Sequence, residues 1–285
     1  MDTVLESRSK TVIIGAQQPF CIIGERINPT GRKRFAEELK AGDLSTVVAD
    51  TNAQIEAGAD VLDVNAGIPL VDEAELLAKM LTLIQDTADI PLCIDSSVIE
   101  ALEAGLSVYE GKALVNSVTG EGDRLEEILP LVARHGAAVI GLANDETGIP
   151  ETPQQRLEIA TKIVKVAGDH GIGPEDVIID PLAMTVGADT EAVTTTLETI
   201  RLIRAELGVN MCLGASNVSF GLPRRHDLNA AFLPMAAAAG LTSAIMSTAR
   251  VCVDAVRGAD LLLGHDPWGA RWIAEHRARE AVAAS

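Results

Sequence analysis

The sequence predicts an α/β fold in which eight parallel strands alternate with helices and close into a (β/α)8 TIM barrel. Eight short runs of apolar and β-branched residues recur along the chain, and between them lie stretches with apolar residues at spacings of three and four. The chain has 285 residues, a normal length for one such barrel. We therefore expect a single domain over residues 1–285.

Each of the eight runs is predicted to be a strand. None alternates between apolar and polar residues, so each is expected to be buried on both faces, as in a parallel sheet covered by helices. The runs occupy residues 21–25, 61–65, 92–95, 113–116, 138–142, 177–180, 211–214 and 243–246. Eight strand–helix units favour closure over an open sheet.

The ends of the chain fall outside this repeat. Residues 1–20 are predicted to form a short N-terminal extension, either a hairpin or a cover under the floor of the barrel. Residues 267–285 are predicted to form a C-terminal helix. No linker, charge block or low-complexity segment indicates a second domain.

The composition argues against several classes of partner. The formal net charge of -18 would repel nucleic acid and anionic membranes. No apolar stretch reaches the roughly 18 residues that a membrane-spanning helix needs, and the first ten residues do not resemble a secretion signal. We expect a cytoplasmic protein. Its four cysteines are widely spaced and are predicted to be small buried apolar residues.

Carboxylates and carboxamides recur where the predicted strands end. For a single position, capping of the following helix is an adequate explanation. In a barrel, however, all the strand ends meet at one mouth, and the set is expected to converge there. The residues are Glu25, Asn28, Asp63, Asn65, Asp95, Asn116, Asn144, Asp145, Asp180 and Asn217.

This many acids and amides require a partner, because a buried carboxylate costs several kcal/mol unless it is paired or hydrogen-bonded. Lysine is absent from these strand ends, which disfavours a Schiff-base aldolase. A divalent metal is an alternative, but histidine ligands are missing there, so we predict no bound metal. A neutral heterocycle with an amidine-like edge, such as a pterin, offers the donors that these acceptors need.

Seven segments together resemble the pterin-binding methyltransferase family, and they cover nearly the whole chain in order. That family includes the methyltetrahydrofolate:corrinoid protein methyltransferases and the folate module of cobalamin-dependent methionine synthase, and it implies a dihydropteroate-synthase-like barrel. The segments are GERINPTG at 24–31, LDVNAG at 62–67, CIDSS at 93–97, VNSVTGE at 115–121, DETGIP at 145–150, IDPLAM at 179–184 and GASNVSFGLP at 214–223.

The resemblance also implies roles for individual residues. Asn217 matches the catalytic asparagine whose side-chain amide lies near N5 of the folate. Three residues match those that hydrogen-bond the pterin ring, and four others match a supporting pair and the mouth of the first strand. The first three are Asp95, Asn116 and Asp180, and the other four are Asp63, Asn65, Glu25 and Asn28.

The family resemblance implies a methyltransferase that moves a methyl group between N5 of tetrahydrofolate and the cobalt of a corrinoid, in a direction that the sequence leaves open. The chain lacks a D-x-H-x-x-G cobalamin signature, so the cobalamin is expected on a separate corrinoid protein. The family further implies a homodimer.

Two alternatives stay open at this point. Dihydropteroate synthase shares the barrel and the acids, but pyrophosphate chemistry requires cations that these strand ends lack. A non-catalytic folate-binding subunit is the other, because a fold alone does not determine a function.

Overall fold

A computed structural model describes residues 1–283 of the chain; residues 284–285, which fall within the predicted C-terminal helix, lie outside the described residues. Eight parallel strands form one sheet. In chain order they are β3 (Cys21–Ile27), β4 (Val61–Asn65), β5 (Leu92–Asp95), β6 (Leu114–Thr119), β7 (Ala138–Leu142), β8 (Val177–Asp180), β9 (Asn210–Met211) and β10 (Ser243–Met246).

The sheet closes into a barrel, which confirms the predicted fold class. Its strand order is β10-β3-β4-β5-β6-β7-β8-β9, so the first and last barrel strands are neighbours. The seam between β9 and β10 is joined by a parallel bridge between Gly214 and Ile245 and by a hydrogen bond from the Ile245 N–H to the Leu213 carbonyl at 3.0 Å.

The seventh barrel strand is shorter than predicted. Its regular part is Asn210–Met211, because the backbone beyond it soon turns into a 3-10 helix at Ala215–Ser219. The Cys212 N–H still donates to the Ile179 carbonyl at 3.0 Å, so the segment keeps its place in the wall. The early turn moves the residues that follow from the wall to the rim of the barrel.

Helices cover the outside of the barrel. They are α1 (Lys33–Lys40), α2 (Ser45–Glu56), α3 (Glu73–Thr87), α4 (Ile99–Val108), α5 (Gly122–His135), α6 (Pro153–Asp169), α7 (Ala192–Glu206), α8 (Arg225–Ala239), α9 (Arg250–Leu263) and α10 (Ala270–Ala283). Their apolar stripes, such as Leu125, Ile128 and Val132 of α5, are buried against the strands.

An antiparallel hairpin covers the floor of the barrel. It consists of β1 (Asp2–Glu6) and β2 (Thr11–Gly15). Leu5 and Ile14 of the hairpin are fully buried and pack with apolar residues of the barrel interior. With the floor closed in this way, the opposite end, where the strands terminate, is the open mouth.

All four cysteines are buried and unpaired, as predicted. Among the residues that the structure describes, no helix has both the length and the apolar character needed to cross a membrane.

Candidate active site

The mouth of the barrel contains the polar side chains that the sequence places at the strand ends. In the strand register, Asn65 of β4 pairs with Asp95 of β5, and Asp95 pairs with Asn116 of β6. Three consecutive strands therefore bring these residues to one level. Asp63 lies two residues before Asn65, is 2% exposed, and points to the same face because strand side chains alternate.

Hydrogen bonds connect these four residues into one network, which we call the inner wall: Asp63, Asn65, Asp95 and Asn116. The Asn65 Nδ2 donates to Asp95 Oδ2 at 3.0 Å, and the Asn116 Nδ2 donates to Asp63 Oδ1 at 3.1 Å. The Asn65 Oδ1 accepts the Gly67 N–H at 2.8 Å. Each carboxamide thus donates one hydrogen bond to a carboxylate, which helps to fix the positions of both.

Burial raises the pKa of both acids in the inner wall. Burial, with the Asp95 charge added to it, raises the pKa of Asp63 well above its ordinary value. Burial raises the pKa of Asp95 to about 6, opposed by the hydrogen bonds from Asn65 and Asp63. Of the two acids, Asp95 is therefore the more readily ionised.

A pocket of about 220 Å³ opens beside this network. Asp95 and Asn116 line it together with Ser96, Thr119 and Arg124. Arg124 lies at the start of α5, where its Nη2 donates to the Ser97 carbonyl at 2.8 Å. Ser96 and Arg124 were not predicted as site residues. The serine lies inside the CIDSS segment, whereas an arginine in the first turn of a helix carries no such signal.

Asp180 ends β8 on the other side of the mouth. Burial raises its pKa to about 7, while the Leu182 N–H and the nearby Arg156 oppose the shift. The Leu182 N–H donates to Asp180 Oδ1 at 2.7 Å. One oxygen of this carboxylate therefore accepts a hydrogen bond from the backbone.

The backbone around Asp180 adopts a costly conformation that other residues maintain. Leu182 has a φ of 65°, in the left-handed region that non-glycine residues rarely adopt. Its carbonyl accepts hydrogen bonds from Arg156 Nη1 at 2.9 Å and from Thr196 Oγ1 at 2.9 Å. Arg156 is 3% exposed, and no sequence pattern indicated this role.

Glu25, at the end of β3, is partly buried, and burial raises its pKa. The Ser216 Oγ donates to Glu25 Oε1 at 2.9 Å, and the Asn229 Nδ2 donates to Ser216 Oγ at 3.2 Å. Asn28 accepts the Thr30 N–H at 2.9 Å, which forms a local turn. Glu25 is therefore joined to the loop that follows β9, whereas Asn28 shapes its own loop.

Asn217 lies in that loop, within the 3-10 helix after β9, and is exposed. Its side-chain nitrogen lies 2.9 Å from the position that a Cβ on Gly214 would occupy, so a side chain at 214 would displace the carboxamide. Among residues 1–283, no hydrogen bond engages the Asn217 carboxamide. The whole carboxamide is therefore available to a ligand, whereas Asn65 and Asn116 each donate a hydrogen bond to a carboxylate.

Within residues 1–283, no three histidine, cysteine or acidic side chains are arranged to hold a metal ion. The absence of a bound metal stays a prediction.

Comparison with known proteins identifies a matching family and several similar proteins. The family described as pterin binding enzyme matches residues 24–247 of the chain. A methylcorrinoid:tetrahydrofolate methyltransferase of Eubacterium limosum is 34% identical over 254 residues, which cover 86% of this chain and 92% of that protein. Methionine synthase of Mycobacterium tuberculosis is 34% identical over 244 residues, which cover 81% of this chain and 20% of that protein.

Solved structures with the same fold are more distant in sequence. The 7,8-dihydropteroate synthase of Vibrio fischeri ES114 superposes with a TM-score of 0.69 at 18% identity, over 93% of this chain and all of that one. A dihydropteroate synthase of Xanthomonas albilineans in complex with 7,8-dihydropteroate superposes with a TM-score of 0.66 at 19% identity, over 88% of this chain and 95% of that one. At this identity the likeness concerns the fold.

Proposed function

We propose that this chain, which belongs to the pterin-binding enzyme family, transfers a methyl group between N5 of tetrahydrofolate and the cobalt of a corrinoid carried by a separate protein. The observation that carries the proposal is the contrast at the mouth between acids and amides that are hydrogen-bonded to one another and the exposed carboxamide of Asn217, which no hydrogen bond among residues 1–283 engages. The two relatives that are 34% identical are named as a methyltransferase and a methionine synthase.

In the proposed complex the pterin edge lies against Asp95, Asn116 and Asp180. A pterin presents an amino group and ring N–H groups, which are donors, and ionised carboxylates are their strongest acceptors. Asp63 and Asn65 position these acceptors rather than contact the ring, because their own polar atoms are already engaged. Glu25 and Asn28 border the pterin from the first strand.

Asn217 acts on the reacting nitrogen. When methyltetrahydrofolate is the donor, the bond between the methyl carbon and N5 breaks, its electron pair stays on N5, and N5 takes up a proton. The reduced cobalt supplies the electron pair of the new bond. The free carboxamide of Asn217 hydrogen-bonds N5 as its charge changes, so it stabilises the transition state more than the bound folate.

The same site serves transfer in either direction, because one transition state lies between the two methylated states. The chain therefore functions as a methyltransferase whether folate or corrinoid is the donor. A corrinoid protein that docks over the mouth brings cobalt to the methyl group and excludes water. We also propose that two copies of the chain form a homodimer.

A spectral assay tests the proposal. The protein is mixed with methyltetrahydrofolate and either reduced free cobalamin or a reduced corrinoid protein, and the visible spectrum is followed. We expect the absorbance of the reduced corrinoid to be lost at a rate proportional to the enzyme concentration. Folate binding without any methyl transfer to either acceptor would instead identify a non-catalytic folate-binding subunit.

A parallel reaction with p-aminobenzoate and a pterin pyrophosphate tests the synthase alternative. We expect no dihydropteroate, since pyrophosphate departure requires available cations. Lys162, on α6, donates its Nζ to the Gly120 carbonyl at 2.6 Å, and Arg124 pairs with Glu127 at 3.2 Å. Formation of dihydropteroate would overturn the proposal.

A further inference from the structure

Charge is distributed unevenly around the mouth of the barrel. Its rim consists of eight segments, each comprising the loop that follows a barrel strand and the first four residues of the next α-helix. The segments after β3, β9 and β10 contain a single acid, Asp227, and six basic residues. The basic residues are Arg32, Lys33, Arg34, Arg224, Arg225 and Arg250.

The other five rim segments, which follow β4 to β8, have the opposite charge. They contain eleven acids, from Asp72 after β4 to Glu191 after β8, and only two arginines. Of these arginines, Arg156 is buried and Arg124 pairs with Glu127 at 3.2 Å. A partner above these segments therefore meets a negative surface.

The topology of the sheet makes each charged region continuous. β9 lies beside β10 at the seam, and β10 pairs with β3, so the three basic segments are neighbours on the rim. We call them the basic sector, which comprises residues 28–36, 212–228 and 247–253. The five acidic segments follow consecutive strands of the sheet. The rim thus has one positive side and one negative side.

Two charges in the basic sector are not balanced by an acid. Lys33 and Arg225 are both exposed, and neither forms an ion pair among the described residues. The Arg225 guanidinium donates to the Ser216 carbonyl at 2.7 Å and to the Ser219 Oγ at 3.2 Å, which are neutral groups. The other four arginines of the sector each pair with a nearby acid. Lys33 and Arg225 therefore supply most of the positive field.

Helix stability explains the acidic segments but not the basic ones. Acids in the first turn of a helix interact favourably with its dipole and basic residues there unfavourably, by about 0.3 to 1 kcal/mol each. Acids occupy the first turns of α3, α4 and α5. The first turns of α1, α8 and α9 instead contain Lys33, Arg225 and Arg250. An anionic partner accounts for these unfavourable positions.

The basic sector suits a protein better than a small anion. Its charges are spread over the starts of three helices, so an extended surface is needed to engage them. Exposed apolar residues accompany them, since Leu228 is 39% exposed and Val251, next to Arg250, is 44% exposed. Apolar groups beside charged ones are typical of protein interfaces.

We propose that the basic sector is the docking surface for an acidic face of the corrinoid protein, an inference that rests on the function proposed above. The corrinoid reaches the methyl group through the mouth, so its protein contacts the rim. An acidic face is attracted to the basic sector and repelled by the rest of the rim and by a chain whose net charge is -18. The charges thus accelerate encounter and select one orientation of the partner over the folate.

A charge reversal measured with two methyl acceptors tests this surface. Lys33→Glu is assayed with a corrinoid protein that the unmodified protein methylates and with free reduced cobalamin, which has no protein surface. We expect kcat/KM for the corrinoid protein to fall about three- to tenfold at low ionic strength, and the difference to shrink as salt is added. The rate with free cobalamin and the dissociation constant of methyltetrahydrofolate should change less than about twofold. The variant should fold normally, because a glutamate in the first turn suits the helix dipole.

Lys165→Glu is the matched control, because it makes the same change of charge away from the rim. Lys165 is exposed in the C-terminal part of α6, far along the helix from the mouth, and forms no ion pair among the described residues. It should leave the kinetics with both acceptors unchanged, and Lys33→Arg should behave like the unmodified protein.

Unaltered kinetics of Lys33→Glu with the corrinoid protein at every salt concentration, or an equal loss with both acceptors, would overturn the docking surface. It would also be overturned if Lys33→Glu weakened folate binding, which would assign the sector to the substrate. Dissociation of a dimer in analytical ultracentrifugation would assign the sector to a second copy of the chain and overturn it as well. An unmodified protein that methylates neither acceptor would overturn the proposed function itself.

Discussion

The inner wall and the loop after β9 lie at the same mouth but use their polar groups in opposite ways. In the inner wall the amides donate to the neighbouring acids, and Asp63 is 2% exposed. In the loop after β9 the carboxamide of Asn217 is exposed and engages no partner among residues 1–283. The wall is a rigid surface with its acceptors fixed in advance, whereas the loop offers a donor that is still free.

This difference separates two tasks that a methyltransferase must perform. A preformed wall binds substrate and transition state about equally, so it contributes affinity. A free group next to the reacting atom can form a hydrogen bond that strengthens only as charge develops, so it contributes rate. Substitutions in the two regions should therefore have different kinetic signatures.

The largest effect is expected at Asn217. Replacing Asn217 by alanine should lower the rate constant of methyl transfer about 100- to 1000-fold, by analogy with loss of one amide from an oxyanion hole. The folate dissociation constant should change less than about threefold, because the wall still holds the pterin. Single-turnover absorbance changes give the rate, and equilibrium titration gives the affinity.

Asn52→Ala is a suitable control, since Asn52 is an exposed asparagine on α2. It should leave both quantities unchanged. Losses of rate and affinity of equal size in Asn217→Ala would show that the loop after β9 binds rather than catalyses, and the contrast between the two regions would disappear.

A smaller effect is expected from protonation of the acids that bind the pterin. Burial raises the pKa of Asp95 to about 6 and that of Asp180 to about 7 in the ligand-free protein. Each must be ionised to accept the pterin N–H groups, so binding has to release any proton that is present. Folate affinity should therefore fall as the pH decreases, by about 30-fold or more between pH 8 and pH 5.5.

Titration calorimetry in buffers of different ionisation enthalpy checks this prediction, because it reports both affinity and proton release. Proton release should be small at pH 8 and should increase as the pH falls to 5.5. In Asp180→Asn the pH dependence should be shallower, since only Asp95 remains to titrate near neutral pH. An affinity that is constant between pH 8 and pH 6 would remove both acids from direct contact with the pterin.

The sequence predicts the strands and the polar residues at their ends, but it does not predict which of these residues bond to one another. The eight strands could be predicted because each is a run of apolar residues, and polar residues at their ends must converge in a barrel. The pairing of Asn65 with Asp95 and of Asn116 with Asp63 could not, since it depends on the register between strands whose paired residues are 30 and 53 positions apart.

The surroundings of other side chains near the site also could not be predicted from the sequence. Arg156 maintains the left-handed conformation at Leu182 from the buried face of α6, but the sequence does not indicate which carbonyl groups it contacts. The exposure of Phe220 is also a tertiary property, because the apolar character of the residue predicts burial. The sequence therefore identifies the residue types at the mouth, while the packing determines which of their atoms remain free.

The smallest effect is expected on stability, and it comes from the buried charge of Asp180. Asp180 has a folded pKa of about 7 against an unfolded value near 3.9, so the folded state binds more protons between these pH values. Its burial is therefore tolerated below about pH 4 and progressively destabilises the protein as the pH rises to about 7.

Asp180→Asn removes that charge and keeps the side-chain shape. We expect its free energy of unfolding at pH 8 to exceed that of the unmodified protein by at least about 1 kcal/mol, since each pH unit between the two pKa values is worth about 1.4 kcal/mol and relaxation absorbs part of it. The advantage should shrink toward pH 4, as urea denaturation at several pH values can show. Asp145→Asn, which alters an acid whose pKa is lowered by its bonds to Thr147, should instead lose stability at pH 8. If Asp180→Asn were less stable than the unmodified protein at pH 8, the ionised carboxylate would be a structural element of the β8 end, and its presence there would not require a ligand.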